Sequence, residues 1–298
     1  ANFWGDHPTG YEEALRAELT ELVDRKPIFF DNQIINDYRH GALFPFALHS
    51  RPGSFGSNYA GYYLNCGRPL AAYAASAATA LAFAWNPEAY RPEEAMGAAL
   101  RWLHSPSEAR ATHAVEGLNR LRALANEWAG GPYTAVSHYA TLWRQIREGK
   151  VDAKAIARWT EAVHAVREEW LAALREPAPG ASPWSLESLL ALVRDGHRLE
   201  RDLELFAAYF DGRRPARRDP SLIAAFETKS REISADALAC VASILPPAPG
   251  LAPLRDDPRC LDPRNAHAGA GVEYVHANTR KALETVTSEM LADLRNLS

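Results

Sequence analysis

The chain has 298 residues, 47% of them hydrophobic and 23% charged, with a formal net charge of −4 at pH 7. This balance supplies a substantial core and excludes a disordered polymer, and the lack of a basic excess argues against a nucleic-acid partner. Cys66, Cys240 and Cys260 are an odd, widely spaced set, which excludes a cysteine zinc motif and argues against a disulfide framework. No run of eighteen apolar residues marks a membrane partner, and Ala1–Asp6 has neither the basic nor the apolar region of a signal peptide, so the chain reads as soluble with its location open.

Strand-to-helix units come first. Phe3-Trp4 is strand-like and breaks at Gly5 to Gly10. Leu15, Leu19, Leu22 and Val23 then recur at helical spacing between Tyr11 and Arg25. A second apolar run, Ile28-Phe29-Phe30, passes at once into Asp31-Asn32, with Asn36 and Asp37 close behind. A third, Ala60 to Leu64, leads into Asn65-Cys66-Gly67. The Ala-rich stretch Leu70 to Trp85 then reads as a buried helix. Alternating strands and helices imply a parallel sheet, whose sites form where chains leave the C-terminal strand ends. Amide and carboxylate side chains crowded there suit a polyhydroxylated ligand, because each hydroxyl both donates and accepts.

From Pro92 onward the pattern is helical. Ile156, Trp159, Val163, Val166, Trp170 and Leu174 form one stripe. Leu186, Leu189, Leu190, Val193, Leu203, Phe206 and Phe210 form another. Such stripes predict a bundle core in which each supplies the other's partner. Breakers fall at Gly130-Gly131-Pro132, Pro177 to Gly180, Arg213 to Pro215 and Pro246 to Gly250, and Arg213, Arg214, Arg217 and Arg218 read as a solvated loop. His113 with Glu116, and His197 with Glu200, stand one helical turn apart, as half a metal site would. No second pair matches either of them, so surface or capping roles are expected and no metal or other cofactor is implied. Asp256-Asp257 lies in a proline-rich connector and reads as solvated.

Three motifs carry a resemblance. Asp31-Asn32-Gln33-Ile34-Ile35-Asn36-Asp37-Tyr38, then Leu43-Phe44, then Trp85-Asn86-Pro87-Glu88-Ala89-Tyr90 ahead of a helix resemble the O-GlcNAcase and bacterial hyaluronidase-type β-N-acetylglucosaminidases. Phe3-Trp4-Gly5 resembles the family's Trp-Thr-Gly strand end. Phe30 stands where the family has Trp, and Cys66 where it has Pro. The resemblance spans about residues 1–103. It implies that 1–104 is the C-terminal part of a (β/α)8 TIM-type barrel and that 105–298 is a helical bundle, an α/β region followed by an all-α one. It also implies that Asn32, Asp37 and Asn65 bind the hydroxyls of a terminal β-linked N-acetylglucosamine on a glycan or glycoprotein.

In that family the sugar's own acetamide attacks the anomeric carbon, assisted by a pair of adjacent Asp residues on an earlier strand. The expectation is that this chain carries no catalytic residue of that pair. The remaining barrel units would come from a separate or cleaved N-terminal segment, or the chain would pair with a second copy. The competing class is a non-catalytic helical scaffold or carbohydrate-binding protein derived from the same family.

Overall fold

The computed structural model describes residues 2–3, 17–18, 20–31, 47–49, 59–64, 74–104, 107–129, 138–176, 183–215, 217–236, 241–261 and 272–297. Three parallel strands, β1 (Asn2–Phe3), β2 (Ile28–Asp31) and β3 (Gly61–Leu64), lie side by side in chain order. Parallel neighbours need a crossover between them, and residues 20–23 form a helical turn between β1 and β2. Register pairs Phe3 with Asp31 and Asp31 with Leu64.

The two sheet faces differ. Phe29 is buried and stacks on its register partner Tyr62 with ring centroids 6.0 Å apart. Helix α1 (Ala74–Trp85) covers this side, and its Phe83 meets the Tyr62 ring edge-on at 6.1 Å. Strand side chains alternate between faces, and the intervening Ile28 and Tyr63 are 63% and 56% exposed. A small core of Phe29, Leu48, Tyr59, Ala80 and Phe83 fills the space between sheet and α1.

The remainder is helical: α2 (Pro92–His104), α3 (Glu108–Ala129), α4 (His138–Arg147), α5 (Ala153–Arg175), α6 (Pro183–Arg213), α7 (Pro220–Asp236), three single turns α8 (Val241–Ile244), α9 (Ala252–Arg255) and α10 (Pro258–Leu261), and α11 (Val272–Arg295). Local chemistry sets several ends. Gly149 takes φ +68°, and backbone bonds from Gly149 N–H to the Ile146 carbonyl and from Lys150 N–H to that of Gln145 close α4 as a Schellman turn. Asp152 then caps α5 by accepting from Ala155 N–H at 2.8 Å. Asp219 and Pro220 open α7 in the same way, with Asp219 Oδ1 accepting from Ser221 N–H at 2.9 Å.

The two predicted stripes pack on each other. Ile156, Trp159, Val163, Val166, Trp170 and Leu174 on α5 are all buried, and with Leu189, Leu190, Val193, Leu203 and Phe206 of α6 they belong to one continuous core. Gly196 lets the helices approach: a Cβ there would stand 3.3 Å from both the Arg167 stem and the Trp170 ring. This core reaches α2 through Met96, Leu100 and Leu103, and α11 through Leu283, Val286, Met290 and Leu294. Among the described residues no helix is long and apolar enough to cross a membrane.

Several readings of the sequence are corrected here. β2 runs through Asp31, so Asp31 is a buried strand residue and not the first residue of the loop. Helix α1 is only half buried, with Leu81 65% and Trp85 91% exposed, because a helix against one sheet face hides only the stripe that faces the sheet. Leu22 and Val23 are exposed too, in the last turn before Asp24, whose φ of 49° ends the helix. Arg213 ends α6 and is not free in a loop: it donates to the Tyr209 hydroxyl at 3.0 Å.

Candidate functional site

In a parallel sheet the C-terminal side of the strands is the natural place to look for a ligand site. The predicted residues Asn32, Asp37 and Asn65 lie outside the described residues. Their described neighbours define the frame. Asp31 and Leu64, which immediately precede Asn32 and Asn65, are register partners on adjacent strands. Asp31 is fully buried and its Oδ2 accepts from the Tyr62 hydroxyl at 2.8 Å. That bond secures the end of β2 to β3, at the point where the polar segment begins.

Residues 47–49 are buried without regular secondary structure. Backbone polar groups in such a stretch need side-chain partners. Leu48 N–H donates to Thr79 Oγ1 at 3.0 Å, and the Leu48 carbonyl accepts from the Tyr90 hydroxyl at 2.8 Å. Thr79 is oriented by donating its own proton to the Ser76 carbonyl at 2.7 Å. Tyr90 is presented by a turn that Asn86 caps, its Oδ1 accepting from Ala89 N–H at 3.2 Å. In the Trp85 to Tyr90 motif, Asn86 and Tyr90 are thus architectural and Trp85 is a surface residue.

Reading the sequence singled out neither Tyr62 nor Thr79. A usable signal existed for the second: Ser76 and Thr79 are the only polar residues in α1, and a lone hydroxyl pair in an Ala-rich helix invites a partner outside it. Tyr62 carried no signal, since aromatic residues are ordinary in strands.

The other polar groupings hold the bundle together. His113 Nδ1 lies 3.7 Å from Glu169, and His164 Nδ1 lies 2.8 Å from Glu200. Glu200 Oε2 also lies 2.7 Å from Arg167 Nε, as an ion pair. These contacts join α3 to α5 and α5 to α6. Among the described residues no group of three metal-ligating side chains forms. Asp256 is exposed between α9 and α10, as its solvated reading requires. A cleft of about 440 Å³ between α4 and α11 is lined by Trp143, Arg144, Arg147, Val286 and Glu289. Its Glu289 accepts from Trp143 Nε1 at 2.6 Å and lies 3.7 Å from Arg147.

Comparison with known proteins bears on the sheet end of the molecule. Residues 11–117 match the family model described as beta-N-acetylglucosaminidase, a stretch that runs from before β2 through α1 and α2 into α3. No curated protein and no solved structure gives a significant match to the chain.

Proposed function

We propose that this chain, whose residues 11–117 belong to the beta-N-acetylglucosaminidase family, supplies the sugar-binding part of a glycoside hydrolase acting on terminal β-linked N-acetylglucosamine. On this reading Asn32, Asp37 and Asn65 bind the sugar hydroxyls, and the chain holds no catalytic Asp pair. The observation that carries it is the parallel register that sets Phe3, Asp31 and Leu64 side by side across β1, β2 and β3. Asn32 and Asn65 follow in sequence directly on the register partners Asp31 and Leu64, and parallel sheets form ligand sites beyond the C-terminal ends of their strands. Asp37 follows six residues after Asp31, within reach of those ends.

The strands are part of a (β/α)8 barrel on this reading, and residues 105–298 form its accompanying helical region. Further strands of that barrel would close over the sheet face on which Ile28 and Tyr63 are exposed. Catalysis in the assembled protein is then substrate-assisted, which departs from the usual pair of side-chain carboxylates flanking the scissile bond. The adjacent pair Asp256-Asp257 is no substitute, lying between two single-turn helices instead of at a strand end.

Calorimetric titration with N-acetylglucosamine tests the site. Asp37→Ala is expected to cost about 1.5–3 kcal/mol of affinity, the scale of a hydrogen bond to a charged group, and Asp256→Ala almost nothing. Equal small losses from both changes would reduce the resemblance to fold alone. The chain by itself is expected not to turn over an aryl β-N-acetylglucosaminide. Turnover that is abolished by Asp37→Ala would place a catalytic group in this chain.

A further inference from the structure

We infer that the cleft between α4 and α11 binds an organic carboxylate, its apolar body lying on Trp143 and Val286 and its anion meeting Arg144. The cleft volume of about 440 Å³ falls in the range of small-molecule sites, which combine apolar walls with a few placed polar groups. Trp143 and Val286 belong to the bundle core and also line the cleft, so they form its floor. Ala140, three residues before Trp143, extends the apolar wall along α4.

This floor is held from behind. The Trp143 ring meets Tyr209 edge-on at 4.9 Å, and its Nε1–H donates to Glu289 Oε2 at 2.6 Å. The Tyr209 hydroxyl donates in turn to Asp293 Oδ2 at 2.6 Å. Two carboxylates one turn apart on α11 thus each fix a ring. Groups already ordered lose less freedom when a ligand enters.

The charges decide the sign of the ligand. Glu289 lies 3.7 Å from Arg147, and Glu148 lies 2.8 Å from Lys150, so both carboxylates at the cleft have cations of their own. Arg144 is left over. Among the described residues no hydrogen bond or ion pair engages its side chain, which lines the cleft. A guanidinium presents paired N–H donors in the geometry of a carboxylate, and the apolar floor beside it gives hydrocarbon a place that a bare inorganic anion would not use.

The test is titration of the full chain with 3-phenylpropionate, followed at the Trp143 Nε1–H resonance, which is assigned by its absence in Trp143→Phe. The resonance is expected to move saturably, with a Kd on the order of 1 mM. The amide 3-phenylpropionamide, of the same shape without the charge, should bind the parent chain about fivefold more weakly, the upper scale for an exposed ion pair. Arg144→Gln should weaken 3-phenylpropionate by the same factor, and Arg218→Gln, which changes an exposed arginine ahead of α7, should leave it unchanged. No saturation by about 20 mM would overturn the inference, as would equal affinity for acid and amide or an unchanged affinity in Arg144→Gln. Tighter binding of phenyl phosphate than of 3-phenylpropionate would overturn the carboxylate as the ligand class. None of these outcomes depends on the sugar reading.

Discussion

Around the sheet, the buried set is Phe29, Leu48, Tyr59, Ala80 and Phe83, and hydrogen bonds from Tyr62, Thr79 and Tyr90 thread through it. In the bundle, Trp159, Val163, Leu203, Phe206, Phe226 and their neighbours interlock as apolar side chains, and ion pairs such as Arg110–Glu176 and Arg295–Glu227 lie at the exposed rim. The two regions use polarity for different ends. At the rim a charge pair contributes little, because water competes for both partners. Beside the sheet, hydroxyls bond the buried Asp31 carboxyl and the Leu48 backbone. Bundle stability is thus spread over many interchangeable contacts, whereas the geometry of the sheet end depends on a few bonds that apolar replacements cannot reproduce.

The largest effect that should separate the regions is Trp159→Ala. Trp159 is 1% exposed in the middle of α5, so truncation is expected to cost about 3–5 kcal/mol in urea unfolding. A loss below about 1 kcal/mol would show that the bundle is not held by its large side chains. Next comes pH. His104, 5% exposed at the end of α2, has its pKa lowered from 6.5 to about 4 by burial. The unfolded chain then binds the extra proton between those values, so stability is complete above pH 6.5 and falls as pH drops toward 4. The loss is roughly 3 kcal/mol, and His104→Gln should flatten that part of the urea-midpoint profile.

Tyr62→Phe sharpens the sheet side of the comparison. It keeps the stacking on Phe29 and removes a donor from the buried Asp31 carboxyl, at an expected cost of about 1–3 kcal/mol. The same replacement would be neutral if the row of rings acted only as filler. Smallest is Glu176→Ala, which breaks the 3.3 Å pair with Arg110 at a side chain 75% exposed. A change of at most about 1 kcal/mol is expected, and a larger one would mean that the rim contributes more than the comparison allows.

Much of this was legible in the residues. The period of three and four in Ile156 to Leu174 fixes both a helix and its buried face, because the same geometry produces both. The runs at 28–30 and 60–64 mark strands, and the motifs at 31–38 and 85–90 point to the family that residues 11–117 match. Local pattern could not decide which way an element faces when both options are apolar. Leu81 and Trp85 have the hydrophobicity of core residues yet stand in water, since only one side of α1 meets the sheet. Nor did Asp31 look like a strand residue, because its burial depends on a hydroxyl supplied by the next strand.

The sequence by itself thus determined the elements, their order and the polar segment that follows β2, all of which rest on interactions between near neighbours in the chain. The tertiary structure alone decided which hydroxyl meets which polar group. Asp31 meets Tyr62, and Leu48 meets Thr79, across 31 positions each, and Tyr90 reaches Leu48 across 42. Partners so distant are selected only once the sheet and α1 have packed, when burial removes water as an alternative partner.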